Sequence, residues 1–328
     1  MYDFLTIGTA TRDIFMRVAD GRILQGPPES PAGSMYLGFE YGSKIVTKDA
    51  FFSYGGGALN TSVSLAKMGL SVAAAFRIGR EGTGDVMIAE MSRQGVGCDY
   101  VERDSVLHSG MSFIITVPGA DHVIFHYPGA GANLALPDLN NIKTRWIYLT
   151  SLTGPAAGLM RTIEEKVETD GVKLVFNPGQ TQIDPGYSAI SDIIRKSYVL
   201  IVNRCEAVEL VGSAEPAAPA AEIEGLISVM RDWGARYIVI TDGQNGSYAY
   251  DGAGIIHQPI YPSHVIDTTG AGDAFGAALA AGMIHYDGNM ARALRLASAN
   301  SASVVEHDGA LTGILNLADA EAFNGGDS

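Results

Sequence analysis

A chain of 328 residues has room for one large α/β domain with a substantial buried core, and 47% hydrophobic against 18% charged residues excludes a disordered chain. The formal net charge of −14 speaks against a nucleic-acid partner, because such partners are gripped by Lys and Arg that neutralise phosphates. Any anionic ligand must therefore be held by a local site.

Apolar, β-branched runs alternate with segments of helical period through most of the sequence. Taken along the chain, a strand is expected at 3–8, an extended stretch at 11–18 and another at 34–54. A helix at 58–68, a strand at 71–78 and a helix at 83–94 follow. The stretch 108–127 reads as a hairpin turning at Pro118-Gly119-Ala120-Asp121. Strands at 145–150, 173–177, 198–202 and 236–241 then alternate with helices at 156–169, 187–196 and 222–233. Two helices, 272–286 and 289–304, close the pattern. This is the signature of βα units laid into a mostly parallel sheet covered on both faces, a three-layer α/β/α sandwich. The stretches 11–18, 34–54 and 108–127 form a small appended β-sheet. An Ala/Pro-rich linker at 213–221 and a polar tail at 324–328 read as surface without chemistry.

Cys98 and Cys205 are too few for a disulfide framework and have no metal-ligand spacing, so both read as small buried residues in a reducing compartment. No basic leader precedes the first apolar run. The longest apolar stretch, Ala274 to Ile284, is well short of the roughly 20 residues that span a bilayer. A cytoplasmic protein without membrane contact is expected.

Chemistry concentrates in Asp267-Thr268-Thr269-Gly270-Ala271-Gly272-Asp273-Ala274-Phe275. A glycine turn opens directly into a small-residue helix, whose first N–H groups have no partner inside the helix and whose dipole favours an anion. Gly270, Ala271 and Gly272 therefore form an anion hole for a transferring phosphoryl group. Asp273, in the first helical turn, is placed to accept a proton from an attacking hydroxyl, and the helix dipole is expected to keep it ionised. No G-x-x-x-x-G-K-[ST] motif is present, and Gly270, Gly272 and Gly276 have the wrong spacing for a dinucleotide fingerprint.

The D-T-T-G-A-G-D-A-F segment resembles the signature of the ribokinase-like (PfkB) family of carbohydrate and nucleoside kinases. Further landmarks occur in the family's order. They are Gly8 and Asp13, the turn Gly55-Gly56-Gly57-Ala58-Leu59-Asn60, then Asn203-Arg204-Cys205-Glu206 and Thr241-Asp242-Gly243-Gln244-Asn245-Gly246. The resemblance implies an α/β/α sandwich with a β-sheet lid, and ATP-dependent transfer of a γ-phosphoryl group to a hydroxymethyl group, with Asp273 as base. It implies that Asp13, Gly55, Gly56, Gly57 and Asn60 bind the sugar or nucleoside. Asn203, Thr241, Gly243, Gly246, Asn300, Gly309 and Ala310 are implied to border the nucleotide. Asn203 and Glu206, which are also spaced as a helix capping box, are implied to hold hydrated Mg²⁺. Many members bind a monovalent cation through carbonyls, here those of Asp267 and Thr269, which makes K⁺ a further cofactor. A homodimer through the lid is expected by the same resemblance.

The acceptor stays open between a sugar and a nucleoside. Ribokinases proper carry a Lys in the glycine turn and a Glu after the central strand, where this chain has Gly57-Ala58 and Thr150-Ser151-Leu152. Phe176-Asn177-Pro178-Gly179-Gln180 and Val305-Glu306-His307-Asp308-Gly309 look more like nucleoside kinases. Phe113, Phe125 and Tyr127 are placed either to stack on a base or to pack the lid. A phosphorylated sugar is disfavoured, since the lid stretches offer few basic side chains. His108, His122, His126, His257 and His264 form no metal-ligand pattern and are given no role. Two other classes stand beside the kinase: an idle sugar- or nucleotide-binding protein, and a dinucleotide-dependent oxidoreductase.

Overall fold

The computed structural model of the chain describes residues 1–26, 35–117, 122–215 and 222–323. The hairpin turn at 118–121, most of the 213–221 linker and the 324–328 tail lie outside them. In chain order the strands are β1 Tyr2–Ile7, β2 Thr11–Val18, β3 Arg22–Gln25, β4 Met35–Gly38, β5 Thr47–Gly55, β6 Val72–Ala75, β7 Arg77–Ile78 and β8 Glu102–Arg103. They continue with β9 Gly110–Thr116, β10 His122–Tyr127, β11 Thr144–Leu149, β12 Lys173–Phe176, β13 Val199–Asn203, β14 Tyr237–Thr241, β15 Ser247–Tyr250 and β16 Ile255–Gln258. The helices are α1 Gly57–Lys67, α2 Gly82–Arg93, α3 Ala157–Asp170, α4 Gln180–Ile183, α5 Ser191–Lys196, α6 Arg204–Ala214, α7 Ile223–Arg231, α8 Ala271–His285, α9 Met290–Val304 and α10 Leu317–Ala322.

The main sheet runs β6-β1-β11-β12-β13-β14-β15-β16. It is parallel from β6 to β14, and β15 and β16 are antiparallel. Its strands are apolar at nearly every position because both faces are covered, and the period of two divides their side chains cleanly. Leu5, Ile7, Ile147, Leu149, Leu174, Leu200 and Ile238 pack into one core with residues of α3, α5, α6 and α7. Phe4, Trp146, Tyr148, Val175, Ile201 and Val239 pack on the other face with α8 and α9. The sandwich expected from the alternating pattern is the fold observed.

Helix α8 is rich in Ala and Gly, which lets it lie close against α9. A side chain at Gly282 would meet the backbone of Ala293. Asn300 on α9 is wholly buried and fully bonded. Its amide donates to Ser64 Oγ (3.1 Å) and to the Ala274 carbonyl (2.9 Å), and its oxygen accepts from the Leu315 N–H (2.9 Å). Asn300 thus pins α9 to α1, α8 and the chain after α9.

A second sheet, β10-β9-β2-β5, covers one end of the sandwich. The stretches 11–18 and 108–127 are in it as expected, whereas 34–54 divides. Met35–Gly38 pairs with a strand the sequence pattern missed, Arg22–Gln25, and only β5 joins the four-stranded sheet. A turn separates the two parts, with Gly42 at φ 77° and Ser43 N–H bonded to the Glu40 carbonyl. The strand expected at 71–78 also breaks, at Phe76, into β6 and β7. Neither cysteine is fully buried: Cys98 is half-buried, and Cys205, in the first turn of α6, is exposed. Among the described residues no helix is long and apolar enough to cross a membrane.

Candidate active site

The functional residues gather at the carboxyl ends of the parallel strands, where loops leave the sheet and ligands of open α/β folds bind. Thr9 follows β1, Ser151 follows β11, Asn177 follows β12, and Asn203 and Thr241 end β13 and β14. The N-terminus of α8 points into the same region. Gly270 caps this helix in the left-handed region at φ 77°, and a side chain there would strike Ala310, so only glycine fits. The Ala274 N–H closes the first helical turn on the Gly270 carbonyl (2.9 Å).

Among the described residues, the N–H groups of Gly270, Gly272 and Asp273 have no backbone partner, and they form the anion-binding end of the helix. The N–H of Ala271, counted in the hole on sequence grounds, is instead used within the turn, bonding to the Thr268 carbonyl at 3.2 Å. The turn is fastened by Asp267. Its carboxylate accepts from Thr269 N (2.9 Å), Thr269 Oγ1 (2.7 Å) and Gly309 N (3.0 Å).

Three cavities meet at this helix end. One, of about 250 Å³, is bounded by the four-stranded sheet and includes Asp13, Gly56, Gly57, Asn60, Gly270 and Asp273 in its wall. A second, of about 420 Å³, is walled by Asn177, Asn203, Glu206, Gly270, Gly272 and Asp273. The third, of about 360 Å³, runs from Thr241, Gly243 and Gly246 past Gly272 and Phe275 to Ala302. Asp273 and Gly270 border the first two, and Gly272 and Thr241 border the last two. Asp273 thus stands in the wall shared by the small cavity and the 420 Å³ one, and Gly272 in the wall shared by the two larger ones.

Asp273 is oriented by Asn60, whose amide donates to Asp273 Oδ2 at 2.8 Å. Burial is the main cause that raises the Asp273 pKa above the ordinary carboxylate value. The Asn60 bond lowers it and the nearby Asp13 charge raises it. Removal from water thus works against the helix dipole that was expected to keep this group ionised. Asp13 is likewise raised, first by burial and against the hydrogen bonds of Ser112 and Thr11. Thr11 Oγ1 donates to Asp13 Oδ1 at 3.0 Å. Gly55 lies directly against the Asp13 carboxylate, and Gly56, at φ 94°, turns the chain from β5 into α1. Among the described residues the buried Asn60 Oδ1 atom has no hydrogen-bond partner.

On the other side of Asp273, the capping box is real: Asn203 Oδ1 accepts from Glu206 N (2.9 Å) and Glu206 Oε2 accepts from Asn203 N (2.8 Å). Burial, first of all, raises the Glu206 pKa, the Asn203 bond lowers it and Glu209 raises it. Three residues assigned to the nucleotide on sequence grounds are placed elsewhere. Asn300 is the buried pin described above. Gly309 gives its N–H to Asp267, and Ala310 packs under Gly270, so both shape the glycine turn and neither lines the cavity that holds Thr241, Gly243 and Gly246.

Strand register separates the lid side chains into two faces. Asp13 pairs with Ser53 and Ser112, and Ser112 with His126, so this row faces the small cavity. One residue along, Phe52, Ile14, Phe113 and Phe125 form a row on the opposite face, and Tyr127 lies with Met111 on that face too. The reading of Phe113, Phe125 and Tyr127 as a base-stacking set is therefore corrected. The period of two turns them away from the site. Residues that sequence reasoning missed, Thr9, Ser112, His126, Ser151 and Thr153, line the cavity instead. The alternation of β9 and β10 held the signal for Ser112 and His126, once Asp13 was fixed as inward-facing.

A family model described as "pfkB family carbohydrate kinase" matches residues 34–316. The mouse ribokinase is 27% identical over 254 residues, covering 75% of this chain and 76% of the mouse protein. Among solved structures, an Arabidopsis thaliana ribokinase complexed with ribose and ATP superposes with a TM-score of 0.81 at 21% identity, covering 98% of each chain. A Burkholderia thailandensis nucleoside kinase in complex with inosine gives 0.77 at 20% identity, covering 97% of this chain and 96% of that one. With its anion-binding helix end and half-buried Asp273, and with the family model matching most of the sequence, the chain belongs to the pfkB family of carbohydrate kinases.

Proposed function

We propose that the chain transfers the γ-phosphoryl group of ATP to the hydroxymethyl group of an uncharged sugar, with Asp273 as the base. The observation that carries the reading is that all three cavities border the α8 N-terminus, with Asp273 in the wall of the two between which a phosphoryl group would pass. The nucleotide takes the cavity between Thr241 and Ala302, its phosphates cross Gly272, and the acceptor occupies the cavity under Asp13 and Asn60. Asp273 accepts the proton of the attacking hydroxyl while the N–H groups of Gly270, Gly272 and Asp273 stabilise charge on the transferring group. The small cavity has no Lys or Arg in its wall and presents two carboxylates, which disfavours an acceptor that already bears a phosphate. With the lid aromatics turned outward, base stacking by the lid no longer favours a nucleoside, and that reading rests on the segments 176–180 and 305–309 alone. The test is ADP formation over neutral pentoses, hexoses and nucleosides with Mg²⁺. Turnover of sugars is expected, and activity confined to nucleosides overturns the choice of acceptor.

Asp13 is the residue that grips the acceptor hydroxyls. Asp13→Ala leaves those hydroxyls unpaired in a desolvated site, and KM for the acceptor is expected to rise by about 1–3 kcal/mol in equivalent binding energy. An unchanged KM contradicts this placement.

Among the described residues no cluster of three His, Cys, Asp or Glu side chains forms a direct metal cage. A carboxylate in the wall of the phosphate cavity suits a Mg²⁺ that keeps its waters, so Glu206 and Asn203 would hold it through water. The metal supplies charge neutralisation on the phosphates. Glu206→Gln retains an acceptor for the Asn203 N–H, so the cap and the melting temperature are expected to persist while the Mg²⁺ requirement rises severalfold. Lost stability with an unchanged Mg²⁺ titration marks a structural cap alone. For K⁺, the Asp267 carboxylate is committed to three hydrogen bonds, which leaves the carbonyls of Asp267 and Thr269 as the groups that would hold it. The outward apolar row, with Phe52 61% and Phe125 60% exposed, supports a homodimer through the small sheet, which sedimentation at micromolar concentration tests.

A further inference from the structure

His126 stands two strands away from Asp13 in the same inward row, with Ser112 between them. Ser112 stands beside Asp13 in register across β2 and β9, and its hydroxyl acts to lower the Asp13 pKa. On its other side it lies 3.4 Å from His126 Nδ1. A carboxylate only accepts, so a Ser112 hydroxyl turned toward Asp13 gives its single proton to that side. In that arrangement Ser112 Oγ meets His126 as an acceptor and the ring proton lies on Nδ1. In the neutral ring this leaves Nε2 as an acceptor, without a protein partner among the described bonds. The imidazole is exposed and borders the small cavity with Ile114 and Ile124.

We propose that His126 is a specificity-determining residue of the acceptor site. Its Nε2 accepts a hydrogen bond from a second hydroxyl of a neutral polyol, the first being held by Asp13, and Ser112 is the positioning residue that fixes the ring. The inference rests on the phosphotransfer reading above and narrows its substrate to one that carries a donor beyond the reach of Asp13. Neighbouring strands are about 4.8 Å apart, so His126 is rooted roughly two such spacings, about 10 Å, from Asp13, and its ring reaches back toward Ser112. An acceptor held at both points spans the cavity width. Ile114 and Ile124 cover the apolar face of the sugar between these contacts.

The experiment uses the full chain with ATP and Mg²⁺. The wild type is assayed on ribose, a set of neutral hexoses and inosine, then on monodeoxy analogues of the best acceptor. His126→Ala is expected to raise KM for that acceptor about tenfold or more while kcat stays within about twofold and KM for ATP is unmoved. One deoxy analogue should be discriminated by the wild type and not by the variant. Ser112→Ala should raise KM by less, and Ser112→Thr, which keeps the hydroxyl, should restore it. If the wild type turns over a neutral acceptor and His126→Ala has the same KM and the same deoxy preferences, the role of His126 is overturned and the kinase reading stands. If inosine alone is turned over and His126→Ala raises its KM, the donor is a nucleoside group and the polyol assignment fails. If no acceptor is turned over at all, the phosphotransfer reading fails, and with it this inference.

Discussion

Asp273→Asn is expected to lower kcat by about 10²–10⁴-fold, the range for loss of a general base, while the affinities for ATP and acceptor move little. Asparagine keeps the size of the side chain and an oxygen for the Asn60 amide, so the geometry of the cleft is retained. It cannot take the hydroxyl proton. The raised pKa of Asp273 adds a second readout. Because burial penalises the ionised carboxyl, the folded state carries a cost that is present above the shifted pKa and disappears below the ordinary carboxylate value. The variant escapes that cost. It should melt at the same temperature as the wild type or higher near neutral pH, with any gain fading as pH falls through the shifted pKa. The wild-type kcat should rise with pH as Asp273 ionises, and the variant should lose that dependence. A variant that matches the wild-type kcat shows that another group takes the proton.

Gly272→Val should abolish turnover, a loss of about 10²-fold or more, with the melting temperature held. No atom lies within 4 Å of a Cβ built on Gly272, and its backbone is not left-handed, so the fold does not demand glycine there. The added methyl groups project into the cleft where the phosphates cross, and they hold a phosphoryl group away from the helix N–H donors. Gly270 makes the contrast. At φ 77° with Ala310 against it, Gly270→Val strains the backbone and collides, and is expected to cost about 1–3 kcal/mol of stability. Full activity in Gly272→Val would remove the anion hole from the mechanism.

The sandwich was legible because each core strand is a short apolar run between helical periods, and covered parallel strands leave that trace. The β15–β16 hairpin was not, since Ser247–Tyr250 and Ile255–Gln258 are four residues each and carry half-exposed polar side chains. At the site, the glycine turn and Asp273 stood out because a phosphate-binding helix end needs those residue types in consecutive positions. Asn203 and Glu206 were readable as a cap for the same reason. The inward face of the small sheet was hidden. Ser112 and His126 matter only through register with Asp13, and Asp13 is nearly 100 residues away in sequence from Ser112. Phe113 and Phe125 drew the eye as aromatics, yet one step of alternation puts them on the far face. Asn300, Gly309 and Ala310 are engaged in hydrogen bonds and packing of the glycine turn and α9: a family landmark gives proximity to the nucleotide loops, while burial and hydrogen bonding decide which groups remain free to touch a ligand.

The most direct test is phosphorus NMR of the full chain incubated with ATP, Mg²⁺ and the neutral sugar that best stimulates ADP formation. The account predicts a phosphomonoester in amounts equal to the ADP formed, its signal coupled to the two protons of a methylene group, which places the phosphate on a hydroxymethyl oxygen. ADP accompanied only by inorganic phosphate, or an ester on a ring hydroxyl, would contradict it.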